Sequence, residues 1–119
     1  EWQKLGKEKR PFRFSLKSGL PFGFAGLYET WWAPDKTSIR TCTIITTEPN
    51  HLVQSIHNRM PVILPEYAFP SWLEPREGNL PQLQQLLIPY PAEAMTAFEV
   101  STLVNSPANE DPRCIIPIT

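Results

Sequence analysis

Near the start of the chain, hydrophobic and polar positions alternate with a period of two. Phe12, Phe14 and Leu16 interleave with Arg13, Ser15 and Lys17. Successive side chains of a strand point to opposite faces, so this stretch predicts a half-buried strand. Gly6, set in the charged run from Lys4 to Lys9, predicts a hairpin turn before it, and Lys17-Ser18-Gly19 predicts the turn after it. Phe22 to Tyr28 reads as a second strand, whose Gly23, Ala25 and Gly26 leave room for another backbone to come close. Trp32 to Thr37, with Pro34-Asp35, reads as a loop. Ser38 to Thr46 is rich in β-branched residues (Ile39, Thr41, Thr43, Ile44, Ile45) and predicts a central strand, with Cys42 buried in it.

The period changes at Thr46-Thr47-Glu48-Pro49. A threonine cap, an early acid and an early proline are helix-start signals. Leu52, Val53 and Ile56 then share one helical face, and the short helix delivers His57 at its end. Met60 to Leu64 returns as a strand. Pro65 to Leu73 and Leu80 to Leu87 predict two further helices, the second capped by Asn79, with Leu83, Leu86 and Leu87 as a core stripe. Met95 to Val100 predicts a last strand, followed by a proline-rich tail from Asn105 to Thr119. This order predicts an α+β protein with a mostly antiparallel, barrel-like sheet and short helices. A single domain over residues 1–119 is expected, since no repeat or linker interrupts the pattern.

Composition narrows the picture. At 119 residues the chain is about one domain's worth, enough for a modest core. Its 14 prolines exclude a helical bundle, because each fixes φ and removes a backbone donor. No run of about 18 apolar residues predicts a membrane span and no basic-then-apolar leader is present, so a cytoplasmic location is expected, nucleoid-associated in a bacterium. Residues 1–17 hold six Lys/Arg against two acids, whereas the whole chain has a net charge of −1. Such a basic lobe can face phosphate, or it can be a solvated hairpin tip. Cys42 and Cys114 are too far apart in sequence for a metal-binding pair and too few for a disulfide framework.

The candidate chemistry centres on His57-Asn58-Arg59, just before the apolar Met60-Pro61-Val62-Ile63-Leu64. An imidazole titrates near neutrality and can move protons both ways, whereas a lone histidine after a short helix is more often a surface or capping residue. Arg59 can hold a phosphate through a planar donor pair, or pair with Glu48. Thr46 can donate to a sugar or phosphate oxygen, or cap the helix after it. Trp31-Trp32 can stack on bases, although packing into a core or lid is the plainer expectation. His51 is expected to be structural.

Five segments in order carry a resemblance: Glu1-Trp2; Phe24-Ala25-Gly26-Leu27-Tyr28-Glu29; Thr43-Ile44-Ile45-Thr46-Thr47; Ile56 through Leu64; and Val100-Ser101 with Val104-Asn105. Together they resemble the SOS response-associated peptidase (SRAP) domain family, over nearly the whole chain. The resemblance implies an α+β, barrel-like fold of roughly twice this length. It implies binding of single-stranded DNA and a covalent crosslink to abasic sites through an N-terminal cysteine, whose thiol and α-amine close a thiazolidine on the sugar aldehyde. It also implies the autoproteolysis that exposes that cysteine. By the same resemblance, Glu1 is the catalytic glutamate, His57 the catalytic histidine, Thr46 a residue at the abasic sugar and Arg59 the phosphate-holding arginine. No cofactor or metal is implied, the partner is single-stranded DNA with abasic sites, and a monomer away from membranes is expected.

The family's cysteine and an active-site asparagine belong to the half that comes before Glu1. Glu1 is not Met, so a start inside a longer protein is expected. Neither Cys42 nor Cys114 can substitute, because a thiazolidine needs thiol and α-amine on one residue. An α-amine with a pKa of about 7.7–8.0 is partly neutral in the cell and attacks the aldehyde. His57 would open the sugar ring, and a partly desolvated Glu1 would supply the proton for loss of water. Two other readings stay open: a non-catalytic single-stranded DNA-binding module using Lys4 to Arg13 and Arg59, and a structural remnant with exposed apolar sheet.

Overall fold

In the computed structural model, which describes residues 1–74 and 79–119, strands are short and helices shorter. In chain order the strands are β1 (Trp2–Leu5), β2 (Glu8–Leu16), β3 (Gly23–Phe24), β4 (Gly26–Trp32), β5 (Ser38–Ile44), β6 (Thr46–Thr47), β7 (Met60–Pro61), β8 (Ile63–Leu64) and β9 (Met95–Glu99). The α-helices are α1 (His51–Gln54), α2 (Phe69–Leu73) and α3 (Leu80–Gln84), with 3-10 turns elsewhere. The ladders β1–β2, β2–β9, β3–β8 and β4–β5 are all antiparallel. The α+β class and antiparallel pairing follow the sequence pattern, while closure of the strands into a barrel is not found among the described residues. No described helix is long and apolar enough to cross a membrane. The chain divides into two compact units, the first containing the three-stranded sheet β1-β2-β9 and the second the two-stranded ladders β3–β8 and β4–β5.

The first unit comprises Glu1–Pro21, Pro49–Met60 and Pro91–Thr119. Its sheet has the order β1-β2-β9, which leaves β1 at the edge. Gly6 sits at φ +62° in the two-residue loop between β1 and β2, and Lys7 is not in the positive-φ region. Positive φ at the first loop position alone is the type II′ pattern, which suits the strand twist and favours glycine there. Asn50 caps α1, its Oδ1 accepting from the backbone N–H of Leu52 (3.1 Å) and Val53 (3.0 Å). Asn50, rather than the threonine pair predicted from sequence, is therefore the cap, and Thr46-Thr47 are strand. Val53, Met60, Met95 and Val100 are buried and form the apolar interior of this unit. Asn50 reaches the same interior, its N–H donating to Met60 Sδ (3.3 Å) and its side-chain amide to Met95 Sδ (3.5 Å).

The second unit comprises Phe22–Glu48 and Pro61–Tyr90. The predicted strand from Phe22 to Tyr28 is broken at Ala25, which is fully buried and leaves the β3 and β4 ladders to bond elsewhere. Ala25 N–H donates to Val62 O (2.8 Å), Ile45 N–H to Ala25 O (2.9 Å) and Val62 N–H to Ile45 O (2.9 Å), a closed triangle of backbone bonds. Ala25, Val62 and Leu64 form the core, with Ile45, Phe69, Trp72, Leu86 and Leu87 packed on it. The expected close approach at a small residue occurs at Gly26, where an added Cβ would lie 3.0 Å from Thr43 O. The α3 segment is helical only over Leu80–Gln84, and Asn79 precedes it without a side-chain capping bond.

β4 and β5 form a two-stranded ribbon pairing Gly26 with Ile44 through Trp32 with Ser38. Asp35 Oδ1 accepts from both the N–H and the hydroxyl of Thr37, which fixes the turn. Every residue of β5 is exposed, so it is not the buried central strand its β-branched composition predicts. Cys42 is likewise exposed. β5 bonds to β4 alone among the described residues. Trp31 and Trp32 are 56% and 66% exposed, against the expected packing in a core or lid.

Candidate active site

An open cavity of about 450 Å³ in the first unit is lined by Glu1, Trp2, Lys4, Lys9, His57 and Asn105. Glu1 enters it from the edge strand. Its nitrogen donates to Phe12 O (3.0 Å), and its carbonyl accepts from Phe12 N–H (2.7 Å), so the β1–β2 ladder begins at Glu1. The carboxylate-bearing residue is exposed in this chain, which differs from the partial desolvation expected from sequence.

His57 is positioned from two sides. Val53 O accepts from the N–H groups of both Ile56 and His57 (2.8 Å each), which tightens the end of the α1 turn over the buried Val53. Gln3 Nε2 donates to Ser55 O (2.7 Å), tying β1 to the segment that leads into His57. The ring is then bracketed by the backbone of Arg59: Nδ1 lies 2.9 Å from Arg59 O and 3.1 Å from Arg59 N. With a proton on Nδ1, the ring donates to the carbonyl; without one, it accepts from the N–H. Either tautomer keeps an anchor on Nδ1, and with Nδ1–H held by the carbonyl the lone pair of Nε2 is left to take up a proton and give it back. That is the arrangement a general acid–base needs.

The other lining residues are held by the sheet and by the C-terminal segment. Trp2 Nε1 donates to Asn105 Oδ1 (2.6 Å), at the end of the 3-10 turn Thr102–Asn105, which Ser101 Oγ caps by accepting from Leu103 N–H. Lys4 and Lys9 face each other across β1 and β2. Arg10 lies 3.8 Å from Glu8, and Arg13 is taken up by Ile115 O (3.2 Å) while stacking over Phe98. Only part of the basic lobe is therefore a set of unpaired ammonium groups.

Of the predicted site residues, Glu1 and His57 line one cavity, and Arg59 follows as the residue whose backbone brackets the imidazole, its own side chain exposed. Thr46 belongs to the second unit, where it is the exposed first residue of β6. Sequence reasoning missed Gln3 and Asn105 as positioning groups. Gln3 gives no local signal, since its partner is 52 residues away. Asn105 lies inside a resembling segment but acquires a role only through Trp2, 103 residues away. No group of three or more His, Cys, Asp or Glu suited to a metal occurs among the described residues.

The family model described as SOS response associated peptidase (SRAP) matches residues 1–107. The chain belongs to the SRAP family. The chain is 51% identical over 116 residues to the abasic site processing protein YoqW of Bacillus subtilis, an alignment covering 97% of this chain and 52% of the relative. It is 38% identical over 138 residues to the abasic site processing protein HMCES of Gallus gallus, covering 99% of this chain and 40% of that protein. A crystal structure of a protein from Bacteroides thetaiotaomicron superposes with a TM-score of 0.85 at 29% identity, covering all of this chain and 53% of that one. The chain thus spans about half the length of YoqW and of the Bacteroides thetaiotaomicron protein.

Proposed function

We propose that the protein to which these residues belong binds single-stranded DNA and crosslinks itself to abasic sites, with Glu1 and His57 as its acid–base pair. The observation that carries this reading is their shared cavity, with the His57 ring anchored through Nδ1 in either tautomer. The names of the curated relatives, abasic site processing proteins, support the substrate class.

An abasic sugar rests mostly as a closed hemiacetal. His57 takes the hydroxyl proton and returns a proton to the ring oxygen, which opens the sugar to its aldehyde. An N-terminal cysteine, in the half of the family's length these residues do not span, adds its α-amine to the aldehyde carbon. Glu1 protonates the resulting hydroxyl, water leaves, and the thiol closes on the imine carbon while the nitrogen regains a proton, giving a thiazolidine. Arg59 grips an adjacent phosphate through its guanidinium, and the Thr46 hydroxyl donates to a sugar or phosphate oxygen. The peptidase activity in the family name corresponds to removal of the residue ahead of that cysteine. The chemistry calls for no cofactor, and a monomer suffices for it.

The test is a 5′-labelled single strand with one abasic site, incubated with these 119 residues and with a version restored upstream to the full family length. A shifted band resistant to heat and denaturant is expected from the restored protein alone. Such a band from the 119 residues would overturn the assignment of the nucleophile. Its absence from the restored protein would overturn the assignment of the reaction.

A further inference from the structure

Lys4 and Lys9 are directly opposite in the β1–β2 ladder. Glu1 and Phe12 exchange both backbone bonds. Pairs along an antiparallel ladder alternate between bonded and non-bonded, so Gln3–Arg10 is a bonded pair and Lys4–Lys9 a non-bonded one. Non-bonded pairs bring side chains closest, with Cα atoms about 4.5 Å apart. Two like charges directly opposite destabilise a sheet. Both lysines are exposed, neither has a carboxylate partner among the described residues, and both line the cavity that holds Glu1 and His57.

We propose that Lys4 and Lys9 form a clamp for one phosphodiester of the single strand whose abasic sugar enters the Glu1–His57 cavity; this rests on the functional reading above. A phosphodiester has one negative charge and two non-bridging oxygens. Each ammonium takes one oxygen, and the anion between them relieves the repulsion built into the ladder. Lys4 is on the edge strand β1 and Lys9 opposite it on β2, beside the hairpin loop, so the clamp holds the phosphodiester at the mouth of the cavity that Glu1 and His57 line. Lys7 lies in the hairpin loop outside the pair and is not part of it.

The experiment is fluorescence anisotropy of a labelled oligothymidylate titrated with the 119-residue chain at a series of salt concentrations, for the unaltered chain, Lys4→Gln, Lys9→Gln and the double variant. Each neutralised phosphate of a single strand adds about 0.7 to the slope of log affinity against log salt. A shared phosphate predicts that each single variant binds more weakly with the slope unchanged, and that only the double variant loses about 0.7 of slope. Thermal melting of the double variant should be unchanged or higher, since a like-charge pair has been removed. Loss of slope in each single variant, or none in the double variant, overturns the clamp while leaving the functional reading standing. No binding by the unaltered chain at any salt overturns the clamp, and the crosslinking test on the restored protein decides the functional reading separately.

Discussion

The amide of Gln3 donates to the carbonyl of Ser55 across 2.7 Å, and this bond joins the strand that carries Glu1 to the segment that carries His57. One residue separates Gln3 from Glu1 and one separates Ser55 from His57, so a displacement at this bond reaches both cavity residues. Gln3→Ala should cost about 1 kcal/mol of stability, the net worth of one hydrogen bond. It should also shift the His57 imidazole resonances in a two-dimensional NMR spectrum. Unmoved His57 resonances at the expected loss of stability would show that the bond staples the fold without orienting the ring.

Asn50 is a second positioning residue, through the start of α1. Asn50→Ala removes two capping bonds and the side-chain contact with Met95 sulfur, and keeps the backbone N–H bond to Met60 sulfur. A lost N-cap costs about 0.5–2 kcal/mol, and urea denaturation should place this variant in the upper half of that range. Asn50→Asp keeps the acceptor oxygen and should recover most of the loss. A loss no smaller for Asp than for Ala would argue that the amide contacts, and not the cap, hold α1.

The C-terminal segment carries an acid-sensitive latch. Asp111 accepts from the Arg113 guanidinium (Nη2 at 2.8 Å, Nε at 3.0 Å) and from the Arg113 N–H (2.8 Å), and these bonds hold its carboxyl down to about 2 from 3.8. A depressed carboxylate contributes stability above its unfolded pKa and loses it as pH falls through the folded value. The Pro112–Ile115 turn should therefore be held above about pH 4 and released as pH falls toward 2. A carboxyl-carbon NMR titration should give Asp111 a midpoint near 2, and Arg113→Gln should raise it. A midpoint near 3.8 in the unaltered chain would show the latch to be open in solution.

The β4–β5 ribbon displays Leu27, Tyr28, Trp31, Trp32, Ile39 and Ile44, each more than half exposed. The ladder register puts Leu27, Trp31 and Ile39 on one face and Tyr28, Trp32 and Ile44 on the other, and exposed apolar surface of this kind binds dyes that light up on it. Trp31→Glu should lower such dye fluorescence while changing stability by no more than about 0.5 kcal/mol, as is usual at an exposed position. A large loss of stability instead would mean that Trp31 packs in solution.

Local signals in the sequence were sufficient for the hairpins and failed where tertiary partners decide. Gly6 and Gly19 marked their turns because positive φ is a one-residue property, and the Phe12–Leu16 alternation marked β2, where Phe12, Phe14 and Leu16 are half-buried. Ser38–Ile44 has the composition of an interior strand, but burial depends on what lies over it, and nothing among the described residues covers it. Ala25 broke a predicted strand because its backbone bonds run to Val62 and Ile45, which no local pattern reveals. At the candidate site, the motif names Glu1 and His57, and both line one cavity. Gln3, Asn105 and the opposed lysines depend on ladder register and on partners that are far away in sequence.

The most direct measurement compares two losses in the protein restored to full family length: the rate of covalent capture of an abasic single strand, and the Kd for the same strand without the lesion. Glu1→Ala and His57→Ala should each slow capture by about 10²–10⁴-fold, the usual worth of a positioned acid or base, and leave the Kd within about twofold, well under the tenfold that 1.4 kcal/mol would produce. Losses of equal size in rate and affinity would contradict the account and make both residues part of the scaffold.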